Sequence, residues 1–220
     1  MGSVEPIARL EGVWKRFEGQ PSWVLRGVSM TVRPGELVLV MGRNGTGKTT
    51  LLKIMAGLVE PSRGRVLIGG LQPGSTQARM MLGVVLHHPL VYDELTVQEN
   101  LSYYAGLYGV YGYEPRRDEV AEALGVTRVL GARVSSLSFG WRRRVDIVRA
   151  LIHRPRILLL DEPTTGLDDD TVESLLDMTA ELSKRGVAVV STSPRRLDSA
   201  LERGYRGLEV VDGRLEVVSA

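Results

Sequence analysis

The passage from Leu37 to Thr50 constrains this chain more than any other. Five apolar residues, Leu37-Val38-Leu39-Val40-Met41, run directly into Gly42-Arg43-Asn44-Gly45-Thr46-Gly47-Lys48-Thr49-Thr50. So short a run with no polar alternation suits a strand covered on both faces, as in a parallel sheet between helices. The following residues match G-x-x-x-x-G-K-[ST], and Lys48–Leu58 then reads as a helix that stops before Pro61. Glycines let successive backbone N–H groups turn inward around a phosphate, and the helix adds the positive end of its dipole. In that setting Lys48 reaches the β- and γ-phosphates of a nucleotide, and the Thr49 hydroxyl ligates Mg²⁺. Gly42, Asn44, Gly45, Thr46, Gly47 and Thr50 complete the cradle. ATP with Mg²⁺ is the expected ligand.

The rest of the chain alternates strand-like and helix-like patterns in the manner of an α/β protein. Val24–Val32 reads as a strand closed by Pro34-Gly35, and Arg65–Ile68 and Gly83–Leu86 as further strands. Ile157–Leu160 and Val187–Val190 are short apolar runs suited to buried parallel strands. From about His87 to Arg154 the patterns are helical only, at Val97–Tyr108, Arg117–Leu124 and Phe139–His153. Gly207–Val218 reads as a hairpin turning at Asp212-Gly213. The expected fold is a P-loop NTPase core with a mainly parallel sheet and an N-terminal antiparallel β portion. One domain over 1–220 is expected, with a helical subdomain of roughly 87–154 inserted in it.

A second chemical element supports the first. Ile157–Leu160 ends in Asp161-Glu162, two carboxylates at the carboxyl end of a buried strand, where ligands bind in such sheets. Beside a phosphate loop, Asp161 holds Mg²⁺ through water, and Glu162 polarises the water that attacks the γ-phosphate. Composition narrows the remaining classes. The 220 residues carry 28 Lys and Arg against 26 Asp and Glu, a formal charge of +2 that gives no reason to expect nucleic acid. The absence of Cys excludes disulfides, thiolate metal sites and cysteine nucleophiles. No run approaches the ~18 apolar residues of a membrane span, and the N-terminus lacks a leader pattern, so a cytoplasmic location is expected.

Leu137-Ser138-Phe139-Gly140-Trp141-Arg142-Arg143-Arg144-Val145 precedes the Asp-Glu strand, and Thr165-Gly166-Leu167-Asp168 follows it. With the Gly42–Thr50 loop, this order resembles the nucleotide-binding domain of ABC transporters, from Phe17 to about Arg196. The first segment is similar to the family's signature (usually LSGGQ) and the second to its D-loop. The resemblance implies that two such domains pair head to tail. Ser138 and Gly140 would then cap the γ-phosphate of ATP held on the partner's loop, with Asp168 nearby. It implies that Phe17 stacks on adenine, with Trp14 a second candidate. It also implies that a membrane permease docks near Thr96, on Tyr92, Asp93, Glu94 and Leu95; the plainer reading of Thr96 is a helix N-cap. For Arg142–Arg144 a solvated helix face is expected of at least two.

The chain departs from the family at three places. His87-His88-Pro89 stands where a Gln is usual. His87 in its neutral form would take over a hydrogen bond to Mg²⁺-bound water, or it is an ordinary loop histidine. Trp141 replaces the last signature residue and is expected to pack at an interface. Ser193 replaces the switch histidine after Val189-Val190-Ser191-Thr192. Ser193 offers a hydroxyl to the γ-phosphate without positive charge, so slow hydrolysis is expected, with Arg195 and Arg196 on a short exposed helix. The leading reading is an ATP-hydrolysing subunit that drives a permease, of the haem-exporter or ABC-2-type export group. Its rivals are a soluble ABC ATPase, such as the iron–sulfur assembly type, and a slow nucleotide switch.

Overall fold

The computed structural model describes residues 5–218. β1 (Ala8–Lys15) pairs antiparallel with β2 (Leu25–Val32) on one side and β4 (Arg63–Ile68) on the other, giving a three-stranded sheet. The second sheet holds β3 (Leu37–Met41), β5 (Leu82–Val85), β6 (Ile157–Leu160), β7 (Ala188–Ser193), β8 (Arg206–Val211) and β9 (Arg214–Val217). Its order is β5-β6-β7-β3-β8-β9, parallel throughout except at the terminal hairpin β8-β9. The helices are α1 (Lys48–Met55), α2 (Thr76–Arg79), α3 (Val97–Leu107), α4 (Glu119–Ala123), α5 (Phe139–Leu151), α6 (Asp169–Lys184) and α7 (Asp198–Glu202). Between β5 and β6 every regular element is helical.

The apolar runs are unbroken because each parallel strand feeds two cores. Leu37, Leu39 and Met41 of β3, with Leu158 and Leu160 of β6, join a core shared with α3, α5 and α6. Val38 and Val40, with Ile157 and Leu159, point into a second core shared with α1 and the antiparallel sheet. The helical stretch between β5 and β6 therefore packs through the same core as one face of the sheet. At the carboxyl ends of the strands, Met41 stands opposite Ser193 and Leu160 opposite Ser191. That register brings Gly42, Asp161 and the end of β7 together on one edge.

Several elements differ from the sequence reading. β1 was not anticipated, because bulges between Leu10, Val13 and Lys15, with Gly12 at a φ of 55°, break its alternation. α6, 16 residues long, was not anticipated either. α1 ends at Met55 because Gly57 turns left-handed there, so no helix reaches Leu58. The predicted Arg117–Leu124 helix divides into a 3₁₀ turn, Pro115–Arg117, and α4, which Asp118 caps by accepting from Ala121 N. Arg195 and Arg196 precede α7 instead of lying on it. The terminal hairpin forms as expected, with Asp212 and Gly213 at positive φ.

Candidate nucleotide-binding site

The loop between β3 and α1 is shaped for an anion by its backbone. Gly42, Gly45 and Gly47 sit at φ of 144°, 82° and 109°. At Gly47 a Cβ would stand 3.0 Å from both Val24 O and Leu25 Cδ2, so only glycine fits. α1 starts there with no side-chain cap and no acidic residue in its first turn, which leaves its first N–H groups for a ligand. Lys48 is buried, and its Nζ donates to Gly42 O at 2.7 Å and Arg43 O at 3.1 Å while standing 3.5 Å from Glu162.

Above the loop, three side chains and one backbone N–H form a single hydrogen-bonded cluster, drawn from the start of α1 and the ends of β6 and β7. Thr49 Oγ1 donates to Asp161 Oδ1 at 3.1 Å, and Thr192 Oγ1 donates to the same oxygen at 2.9 Å. The Thr192 hydroxyl also accepts from Glu162 N at 2.9 Å. Asp161 is fully buried, and its Oδ2 has no protein partner. Glu162 adopts a φ of 47°, an unusual backbone for a residue with a side chain and a mark of functional sites. Thr192 escaped the sequence reading, which ended that strand at Val190. β7 continues through Ser191, Thr192 and Ser193, all buried, and the register beside Leu160 and Asp161 could have pointed to it.

A cleft of about 450 Å³ covers the loop, lined also by Phe17, Gln20, Val24, His87 and Glu162. Phe17 is half-exposed, with Lys15 Nζ 4.9 Å from its ring centre. Trp14 does not line this cleft; it packs edge-on against Trp23 and lies over Gly27. Ser193 is buried and lines a neighbouring cleft with Arg195 and residues 164–167. A larger cleft of about 640 Å³ lies at the amino ends of β6 and β7, the edge away from the phosphate loop.

Ser138, Gly140 and Asp168 also stand outside the loop's own cleft. Ser138 caps α5, its Oγ accepting from Trp141 N at 3.4 Å. Gly140 packs under the next loop, since a Cβ there would meet Gly166 O at 3.0 Å. Asp168 caps α6 and pairs with Arg144 at 3.0 Å, and its carboxyl is held below the usual range by hydrogen bonds from the Thr171 hydroxyl and N–H. Thr96 forms a capping box with Glu99, as its plainer reading anticipated. Trp141 packs within the helical stretch, beside Gly125, with the Arg144 guanidinium 4.7 Å from its ring.

The arginines after the signature are not a solvated face. Arg142 ties to Asp93 at 3.1 Å and to the Ser135 and Leu137 carbonyls. Arg144 ties to Asp168 and Thr171, and Arg143 is fully buried against the Leu86 and His87 carbonyls. Nothing in the spacing of three consecutive arginines announces these separate partners.

The family model described as "ABC transporter" matches residues 25–165, which include the loop, the signature-like segment and the Asp161-Glu162 strand end. The chain belongs to the ABC transporter family. It is an ATP-binding cassette of that family, the kind of domain that hydrolyses ATP. It is 38% identical over 189 residues to YdbJ of Bacillus subtilis, an uncharacterized ABC transporter ATP-binding protein, covering 84% of this chain and 60% of that one. It is 36% identical to the ABC transporter ATP-binding protein NatA of the same organism, covering 81% and 76%. The cassette thus spans about 60% of the length of one of these relatives and three quarters of the other. Its fold matches that of the ATP-binding cassette MJ0796, solved as a post-hydrolysis dimer bound to ADP and Pi. The TM-score is 0.82 at 28% identity, covering 97% and 99% of the two chains.

Proposed function

We propose that this cassette is the ATP-hydrolysing subunit of a membrane transporter, working as a head-to-tail pair with a second cassette. The observation that carries the chemistry is the Thr49–Asp161–Thr192–Glu162 cluster directly over the phosphate loop. The backbone of Gly42–Thr50 and Lys48 bind the β- and γ-phosphates, and Phe17 and Val24 offer apolar surface to the base. Glu162 accepts the proton of the attacking water, and the Thr192 hydrogen bond holds its backbone in place.

The donors suit Mg²⁺. Asp161 brings a buried, unpartnered oxygen, Thr49 a neighbouring hydroxyl, and His87 borders the same cleft. Among the described residues no group of three or more His, Cys, Asp or Glu forms a metal cage. That sparseness fits an ion that keeps its waters and takes phosphate oxygens, as Mg²⁺ does. When bound at Asp161 and Thr49, it would supply positive charge against that developing on the outer phosphates.

The partner's Ser138 to Gly140 would complete the site, because these residues begin a helix and stand outside the cleft of their own chain. The permease would dock on Tyr92 to Leu95. Tyr92 and Leu90 are exposed there, and Tyr92 meets Tyr103 edge-on and stacks on Tyr104 in an aromatic patch. No described helix is long and apolar enough to cross a membrane, so attachment would run through that partner on the cytoplasmic side.

Ser193 favours slow turnover. Its hydroxyl accepts from Arg195 N at 3.4 Å, and Arg196 is occupied by Asp198 at 2.6 Å. Phosphate release by wild type, Glu162→Gln and Ser193→His tests the reading. Glu162→Gln is expected to bind ATP and release almost no phosphate, and Ser193→His to raise turnover. Equal release by wild type and Glu162→Gln would remove Glu162 from the chemistry.

A further inference from the structure

Arg143 is completely buried and, among the described residues, has no carboxylate within ion-pairing distance. A buried guanidinium is costly unless its donors are used; here Nη1 and Nη2 are used on backbone, while Nε has no partner. It donates to Leu86 O and to His87 O, the latter at 2.6 Å, where the chain leaves β5 for the phosphate cleft. On its other side it lies 5.3 Å from the ring centre of Phe139, the residue between Ser138 and Gly140. Burial pushes its pKa down, while Asp146, Asp161 and Glu162 hold it up. The flanking arginines brace the same helix end, Arg142 to Asp93 and Arg144 to Asp168.

A planar fork on two consecutive carbonyls fixes direction as well as distance, which a lysine ammonium does not. We propose that Arg143 is the positioning residue that couples the His87 loop to the signature segment. A shift of that loop when ATP fills the cleft is carried into α5, and so into Ser138 and Gly140, which must meet the partner's nucleotide. This rests on the composite-site reading above.

The test uses the full chain with Glu162→Gln, so that ATP persists, and reads two quantities separately. Binding of a fluorescent ATP analogue is measured at protein dilutions that keep the chain monomeric, and ATP-driven dimerisation is measured by light scattering. Arg143→Met is expected to bind nucleotide within about threefold of the parent while its ATP-driven association weakens on the order of tenfold, with Arg143→Lys between them. A merely structural arginine would instead lower melting temperature, binding and association together, and that result overturns the proposal. So does a Met variant that dimerises like the parent. Should Arg143→Met fail to fold, Arg143→Gln, which keeps one donor, carries the same comparison. If the parent itself stays monomeric in ATP, the composite-site reading falls and this proposal with it; if only the variants match the parent, this proposal alone falls.

Discussion

At the scale of single residues, the site depends on one hydroxyl. Thr192 Oγ1 donates to Asp161 and accepts from Glu162 N, so the two consecutive acidic residues share a support, Asp161 through its carboxylate and Glu162 through its backbone. Thr192→Val keeps the shape and leaves both partners short of a bond in a buried place. Stability is expected to fall by about 1–3 kcal/mol. Phosphate release should drop on the order of tenfold with little change in the KM for ATP, because the phosphate loop is untouched. Thr192→Ser should restore both. Urea melts and steady-state kinetics on the two variants check this, and an unchanged kcat in Thr192→Val would show that Glu162 needs no such support. At this scale the sequence was legible where chemistry is local. Gly42–Thr49 is a contiguous motif, and Asp161-Glu162 ends an apolar run. Thr192 and Arg143 were not legible, since their partners lie 31 and 56 residues away along the chain.

At the scale of elements, α5 joins the signature to the sheet, and a titratable group lies two residues past its far end. His153 stacks face to face on Tyr108 at 3.8 Å and makes a 3.0 Å hydrogen bond through Nε2 to Leu82 O. Burial is the main cause that pushes its pKa below the ordinary histidine value; Arg149 adds to this, and the bond to Leu82 O opposes it. The unfolded chain therefore binds a proton at a higher pH than the folded one does. The stabilisation is complete above the unfolded value of roughly 6.5 and is lost as pH falls through the depressed folded one. His153→Phe, which keeps the stack, is expected to flatten the fall in melting temperature between about pH 7.5 and 5.5; a slope equal to wild type would place the proton uptake elsewhere. The elements themselves divide by pattern. β3 and β6 match the reading to the residue because a strand with two buried faces shows as a bare apolar run. α6 was missed although Thr171, Leu175, Leu176, Met178 and Thr179 are buried at helical spacing, because its cap, Asp168, reads first as a D-loop residue.

At the scale of the molecule, the proposed chemistry is divided between two places. The phosphate loop and Glu162 share one cleft, and Ser138 and Gly140 stand outside it; in the proposed reading a second cassette completes the site. No pattern within one chain could display that arrangement, and it entered only through the family resemblance. The mass of the Glu162→Gln protein in solution tests it most directly. Without nucleotide it should scatter light as the 24.2 kDa chain, and with ATP and Mg²⁺ as a pair, with Ser138→Arg abolishing the pairing while leaving ATP binding in place. A protein that binds ATP to saturation and remains a single chain would contradict the account.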